Sequence, residues 1–277
     1  MLLQRPAALP AGRRRSMRTM TMATSPNPAI LPEALSLRGK TVLVTGAASG
    51  IGRATCSAVA QLGGNLVIAD IAPLARTADD LRTAGGTVTS SHEGNLGDAQ
   101  FVHTLLSAHD RYDAMVHAAG IFPKVDTPEQ ETFEQVMQVN LRAGMMLSYG
   151  CAMRMAETGG GKIVLIGSMA ARNGGVMTDN MSLNYAAYAV SKGGLHTMVT
   201  WLSRRMVGKN VLVNAIAPGV VRTPMAQGQT YLPGIFPMGR PAEMDEVAWP
   251  AAFLCTAAAG YFSGAIVDVN GGAYVSG

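Results

Sequence analysis

Thr41-Val42-Leu43-Val44-Thr45-Gly46-Ala47-Ala48-Ser49-Gly50-Ile51-Gly52 is the stretch that decides the fold. A β-branched apolar run stops at a turn with glycines at 46, 50 and 52, and an apolar-periodic segment follows; this reads as strand, loop and helix in succession. A helix that opens on a glycine turn offers unpaired N–H groups to a pyrophosphate, and the glycines let the backbone come close to it. Gly46, Ser49, Gly50, Ile51 and Gly52 are therefore candidate dinucleotide contacts. Asp70 ends the next apolar run, Asn65-Leu66-Val67-Ile68-Ala69-Asp70, 20 residues after Gly50. A carboxylate there accepts hydrogen bonds from an adenosine ribose and repels a 2′-phosphate, so NAD is expected over NADP. The competing role for Asp70 is a cap on the segment that follows. Arg53 softens the preference if it swings toward the ribose.

Outward from this unit, short β-branched runs alternate with longer helical patterns. The runs are Thr41 to Thr45, Asn65 to Asp70, Thr87 to Ser91, Ala114 to His117, Lys162 to Gly167, Val211 to Ile216 and Ala265 to Val269. Such alternation predicts an α/β fold, a Rossmann-like, doubly wound, seven-stranded parallel sheet with helices on both faces in a single domain. Runs such as Ile163-Val164-Leu165-Ile166 are apolar throughout, as strands covered on both faces require. Ligands in sheets of this kind bind beyond the carboxyl ends of the strands. No internal repeat and no second composition block appears, so the domain is set at residues 37–277.

Residues 1–36 differ in kind. They hold Arg5, Arg13, Arg14, Arg15 and Arg18 against Glu33, which accounts for the whole net charge of +4. The remainder carries 17 basic and 17 acidic residues, a balance that argues against a nucleic-acid partner. Three readings compete for this segment: a disordered tail, a region upstream of another start at Met17, Met20 or Met22, or an Arg-rich transit peptide. A twin-arginine signal at Arg13-Arg14-Arg15 lacks the apolar core that must follow. The tail reading is preferred. The three cysteines, Cys56, Cys151 and Cys255, sit in apolar periodic stretches without metal-ligand or redox spacing, and read as buried hydrophobes in a cytoplasmic protein. No metal is expected, and no run of apolar residues is long enough for a bilayer span.

Tyr188 and Lys192 stand four apart in Tyr185-Ala186-Ala187-Tyr188-Ala189-Val190-Ser191-Lys192, on one helix face. Together with the glycine turn they make the chain resemble the short-chain dehydrogenases/reductases over residues 37–277. Further matching motifs are Val139-Asn140-Leu141, Ile166-Gly167-Ser168, Asn214-Ala215-Ile216-Ala217-Pro218-Gly219 and Val267-Asp268-Val269-Asn270-Gly271-Gly272. The resemblance implies a catalytic tetrad of Ser168, Tyr188, Lys192 and Asn140. It also implies cofactor contacts at Asn95, Leu96, Ala118, Gly120, Pro218, Gly219, Val221 and Thr223, with Lys192 reaching the nicotinamide ribose. Asn140 is the residue that, in the family, anchors a water feeding protons to the lysine; a helix interior disfavours Asn, which points to a specific hydrogen bond.

A tyrosine acting as general base near neutrality must drop from a pKa of about 10 by roughly 3 units, or about 4 kcal/mol. An ammonium at about 5 Å, with an effective dielectric near 20, supplies roughly 3 kcal/mol of that. The positive ring of the oxidised cofactor supplies the remainder. The expected reaction is hydride exchange between NAD and a secondary alcohol or ketone, with Tyr188 as acid/base. Two alternatives are an NADPH-linked ketoreductase of acyl thioesters, which Asp70 opposes, and a dinucleotide-binding protein without catalysis.

Some positions depart from the family pattern. His117-Ala118-Ala119-Gly120 replaces Asn-Asn-Ala-Gly, so His117 is expected to be structural, and Asn95 replaces an Asp that contacts adenine. Ser168 and Tyr188 are separated by more residues than is usual, which predicts a loop within Arg172 to Asn184 and leaves Ser182 as the alternative serine. Thr223 to Glu243, with Met225, Tyr231, Leu232, Ile235, Phe236 and Met238, stands where the family has its mobile lid. With Met169, Met177 and Met181 it reads either as a hydrophobic pocket for a small apolar substrate or as ordinary core packing, since Met is frequent along the whole chain. The resemblance further implies a homotetramer, with Ala273 to Gly277 buried between subunits.

Overall fold

The computed structural model describes residues 32–122, 129–175, 183–228, 231 and 234–275. The segment 1–31, most of the expected tail, lies outside them, as do Met177, Met181, Ser182 and Leu232. A short 3₁₀ turn, Glu33–Leu35, precedes the buried Leu37. The order that follows is β1 (Thr41–Thr45), α1 (Gly50–Gln61), β2 (Asn65–Asp70), α2 (Ala75–Thr83), β3 (Thr87–Glu93), α3 (Ala99–Ser107), β4 (Ala114–His117) and α4 (Glu129–Val136). Then come α5 (Ala143–Glu157), β5 (Gly161–Ile166), α6 (Ala170–Asn173), α7 (Leu183–Met206), β6 (Val211–Pro218), α8 (Met244–Leu254) and β7 (Ile266–Val269).

The seven strands form one parallel sheet in the order β3-β2-β1-β4-β5-β6-β7. Strand boundaries differ from the expected ones by at most two residues; β3 runs on to Glu93 and β6 to Pro218. Side chains alternate across the pleat, so Val42, Val44, Leu66 and Ile68 pack with α1 and α8 on one face. Leu43, Val67, Ile163 and Leu165 pack with α5 and α7 on the other. Each large side chain fully buried in this way contributes about 1.5–3 kcal/mol relative to exposure. The sheet grows one way from β1 to β3 and the other way from β4, and this reversal opens a crevice at the carboxyl ends of β1 and β4.

The three cysteines are free and buried, as expected of small hydrophobes. Burial pushes the thiols of Cys151 and Cys255 up to about 12, far from a reactive thiolate. Among the described residues, no helix is long and apolar enough to cross a membrane.

Candidate active site

The helix α7 carries Tyr188 and Lys192 one turn apart, against the ends of β5 and β4. Lys192 is only 4% exposed, and its Nζ donates to the carbonyl oxygen of Ile166 at 2.8 Å. Burial lowers its pKa to about 8. Ser168 lies two residues past β5, in a chain pinned to β6 by Gly167 N donating to Ile216 O (2.8 Å) and Met169 N donating to Pro218 O (2.9 Å). Its hydroxyl accepts from Ala170 N (3.1 Å) and hydrogen-bonds to the Tyr188 phenol. The long separation in sequence therefore does not separate the two side chains. Arg172 and Asn173, expected in a loop, belong instead to α6, because Ser168 and Met169 offer the carbonyls that start a helical turn.

The expected acid shift of Tyr188 is not what this structure shows. Burial raises the phenol above its ordinary value, and the Ser168 hydrogen bond pulls it back only in part. The Lys192 ammonium stands 5.9 Å from the ring centroid, with a proton committed to Ile166. Desolvation disfavours the charged form of both groups, and it is the leading influence on each.

Asn140 falls in a π-helical stretch, Met137–Arg142, that joins α4 to α5. Such bulges interrupt the regular ladder, often at functional sites. Its side chain is fully buried; Oδ1 accepts from Ile121 N (2.7 Å), and Nδ2 donates to Ile121 O (2.9 Å) and to Ser191 Oγ (3.3 Å). The specific hydrogen bond expected from its helical position is thus a two-way clamp on the loop after β4. Gly120 fits between Asn140 and Lys192: a Cβ there would stand 3.3 Å from Lys192 Nζ and 3.4 Å from Asn140 Oδ1.

The glycine turn fits a dinucleotide. Gly46 has φ +73° and packs on the loop after β4, where a Cβ would lie 2.7 Å from Ala119 N. A Cβ on Gly52 would meet Gly46 O at 2.0 Å, so the first turn of α1 can close on the loop only with glycine there. Ser49 precedes α1 without capping it, leaving the helix amino end open to an anion. Thr223 comes within van der Waals distance of a Cβ at Gly50, which brings two predicted cofactor contacts together from opposite ends of the domain. Pro218 is buried at the end of β6, Gly219 N donates to Val269 O (3.0 Å), and Val221 bridges to Ala242. Leu96 is buried, and Ala118 N donates to Thr45 O (3.2 Å).

Asp70 does more local work than the sequence suggests. Oδ2 accepts from Ala48 N and Oδ1 from Ala72 N, each at 2.9 Å, so the carboxylate ties the glycine turn to the loop after β2. Each oxygen keeps a second lone pair for a ribose hydroxyl. Arg53 is paired with Asp80 of α2. Asn95 uses its Oδ1 to accept from Gly97 N (2.8 Å), leaving the amide N–H₂ for adenine.

His117 is structural, as its place in β4 suggested. It is fully buried, its Nδ1 shares a 2.9 Å hydrogen bond with Thr45 Oγ1 of β1, and burial together with the Lys192 charge lowers its pKa to about 3. Beside the segment expected to form a lid, a cavity of about 90 Å³ is lined by Met169, Ile235, Phe236 and Met238 on its apolar side and by Arg240, Glu246 and Asn270 on its polar side. The aromatic neighbours of the site were not legible as such. Phe122 contacts both Tyr185 (centroids 5.0 Å apart) and Tyr188 (4.9 Å). The three-residue spacing of Tyr185 and Tyr188 was the available signal; nothing in the sequence marks Phe122.

A family model described as enoyl-(acyl carrier protein) reductase matches residues 46–274. The galactitol 2-dehydrogenase (L-tagatose-forming) of Cereibacter sphaeroides is 34% identical over 85% of this chain and 95% of its own length. A 3-oxoacyl-[acyl-carrier-protein] reductase of Rickettsia conorii is 30% identical over 86% of this chain and 98% of its own. Among solved structures, 7α-hydroxysteroid dehydrogenase complexed with NADH and 7-oxo glycochenodeoxycholic acid superposes with a TM-score of 0.77 at 28% identity, covering 88% of this chain and 97% of that one. A Beutenbergia cavernae protein assigned as an NAD(P)-dependent gluconate 5-dehydrogenase without established activity, with NADP bound at low occupancy, gives 0.78 at 31% identity, covering 86% and 98%. The chain belongs to the short-chain dehydrogenase/reductase family. It is an NAD(P)-dependent oxidoreductase acting on CH–OH groups.

Proposed function

We propose that this enzyme interconverts a small, apolar secondary alcohol and its ketone, with NAD as the preferred cofactor and Tyr188 as the group that transfers the proton. The observation that carries this reading is the meeting of Ser168, Tyr188 and Lys192 at the strand ends, with Gly120 joining them to the loop that abuts the glycine turn. When bound, the nicotinamide supplies the hydride acceptor or donor. Gly46, Ser49, Gly50, Ile51 and Gly52 would hold its pyrophosphate, Asp70 its adenosine ribose, and Lys192 its nicotinamide ribose.

In the direction of reduction, the Tyr188 phenol gives its proton to the carbonyl oxygen, while the Ser168 hydroxyl holds that oxygen. In oxidation the phenolate takes the hydroxyl proton back. A phenol that burial keeps protonated is ready for the first direction. Asn140 contributes by holding Ile121, and through it the loop that Lys192 and Gly120 share. The NAD preference is supported by the acidic Asp70 and by Arg53 being held by Asp80. Replacement of Tyr188 by Phe is expected to abolish turnover while NAD still binds; turnover that survives refutes the assignment. A catalytic efficiency higher with NADP than with NAD refutes the cofactor preference.

An assembly of identical subunits, four in the family expectation, is supported by exposed apolar side chains on two helices. Met145, Met146, Tyr149 and Met153 line the outside of α5, and Val190 and Trp201 that of α7. A monomer by light scattering at micromolar concentration rejects it. Three free, buried thiols support a reducing compartment, the cytoplasm.

A further inference from the structure

We propose that the substrate carries an aryl group beside its reacting carbon, gripped by a collar of Phe122, Tyr185, Tyr231 and Phe236. This rests on the reading of Tyr188 as the proton-transfer group. Phe122 presents itself edge-on to Tyr188 (4.9 Å, 68°) and to Tyr185 (5.0 Å, 88°). A second pair is formed by Tyr231 and Phe236, whose rings meet at 5.5 Å and 69°; Tyr231 is near enough to Tyr185 for the two phenols to influence each other's ionisation. Phe236 in turn lines the cavity that also touches Met169, the residue after Ser168. Three rings thus cluster at the reaction centre, and a second pair of rings reaches the cavity beside the segment 223–243.

Two features separate this string from ordinary core packing. Its members come from three distant segments, the loop after β4, the first turns of α7 and the lid, and converge on one point. All five are half-buried, whereas the hydrophobic core is closed to solvent, so these rings are not sealed core packing. The chain has only six Phe and seven Tyr, so this concentration is not explained by composition. Aromatic rings prefer edge-to-face and offset contacts, each adding about two- to tenfold in affinity beyond the area buried.

The charges nearby argue against an acidic substrate. Arg240 makes a two-pronged pair with Glu246 (2.7 Å), Arg222 pairs with Glu243 (2.9 Å), and Arg172 with Asp268 (3.3 Å). Each of these cations is thus committed to a carboxylate of the chain itself. A polyol needs an array of donors and acceptors around each carbon; the collar offers only the hydroxyls of Tyr185 and Tyr231, and of the polar residues lining the cavity Arg240 and Glu246 are spent on each other. The cavity of about 90 Å³ suits a substituent of a few atoms at the far end of the aryl group, not a whole sugar.

The test compares 1-phenylethanol, 2-butanol and galactitol as substrates of the full chain with NAD, and follows acetophenone binding by saturation-transfer NMR, which needs no turnover. We expect kcat/KM for the aryl alcohol to exceed that for 2-butanol by about tenfold or more, with galactitol the poorest. Phe122→Ala, or Phe122→Leu should the smaller side chain unfold the loop, is expected to cut the aryl-to-alkyl ratio about fivefold and weaken the acetophenone signal. Tyr185→Phe is expected to keep the ratio, because the ring stays. A ratio near one, a preference for galactitol, or a ratio lost in Tyr185→Phe but kept in Phe122→Ala overturns the proposal. If no alcohol turns over but acetophenone binds in a Phe122-dependent way, the catalytic reading fails and the collar stands.

Discussion

The ammonium of Lys192 lies 5.9 Å from the centre of the Tyr188 ring and donates to the backbone of Ile166, not to the phenol. The end of β5 thus sets the position of Lys192, and an influence on Tyr188 has to be exerted through space. Both groups are pushed toward their neutral forms by burial, the lysine down to about 8 and the phenol upward. Desolvation thus brings the lysine within reach of neutral pH while holding the phenol protonated, so a positive charge brought to the cleft favours the neutral lysine and the ionised phenol.

The pH dependence of catalysis follows from this. Reduction needs the protonated phenol, which a raised pKa preserves, so its kcat/KM is expected to stay flat from pH 6 to 8 and to fall only in alkali. Oxidation needs the phenolate and is expected to climb over the same range. Lys192→Met removes the attraction that favours the phenolate, so the rising limb of oxidation moves to higher pH. Steady-state rates in both directions check this; a limb that does not move shows that the ammonium has no electrostatic part in the reaction.

Asp70→Ala is expected to do two things at once. The preference for NAD over NADP, measured as a ratio of kcat/KM, falls by about tenfold or more, because the like-charge repulsion of a 2′-phosphate disappears. The melting temperature falls as well, since the amides of Ala48 and Ala72 each lose an acceptor worth about 1 kcal/mol. A variant that keeps its NAD preference but melts early shows the carboxylate to be a loop tie only.

Asn140→Ala leaves the backbone N–H and C=O of Ile121 without partners in the loop after β4. A loss of about 1–3 kcal/mol in urea unfolding is expected, with the usual cost of orphaned buried groups. Because that loop touches Lys192 through Gly120, kcat is expected to drop more than KM rises. An unchanged kcat in a destabilised variant reduces Asn140 to a structural clamp.

Stability toward acid is governed by two buried imidazoles. Burial and nearby cations lower His117 to about 3 and His196 to about 4, against an unfolded value near 6.5. A depressed folded pKa means that the contribution is complete above pH 6.5 and is lost as pH falls toward 4 and then 3. For His196 alone the loss amounts to about 3 kcal/mol once fully developed. Urea melts at pH 7 and pH 4.5 are expected to differ accordingly, and His117→Asn, which cannot titrate, to flatten the difference. Equal midpoints at the two pH values contradict this.

The parts of the site that were legible are those written locally. Gly46, Gly50 and Gly52 are set by a turn a few residues long, and the pairing of Tyr188 with Lys192 follows from helical spacing. The inner strands were legible because they are covered on both faces and read as apolar runs, whereas the edge strands β3 and β7, polar or half-buried, were legible from their β-branched residues and their place in the alternation. The loop expected at Arg172 and Asn173 turned out to begin as a helix, since two carbonyls just past β5 were available to start one. The burial of His117 against Thr45 joins residues 72 positions apart, and the clamp of Asn140 on Ile121 uses backbone atoms that carry no side-chain signature.

Apolar periodicity and the glycine positions were enough to specify a seven-stranded parallel sheet and a dinucleotide crevice, because each depends on neighbours within a turn or a strand; the residues of the chemistry came from the resemblance to a family. The direction in which Tyr188 and Lys192 titrate was decided by packing, since desolvation depends on everything that surrounds a group. The same holds for Phe122: an isolated aromatic in the sequence, it joins Tyr188 and Tyr185 only when β4 and α7 are folded against each other.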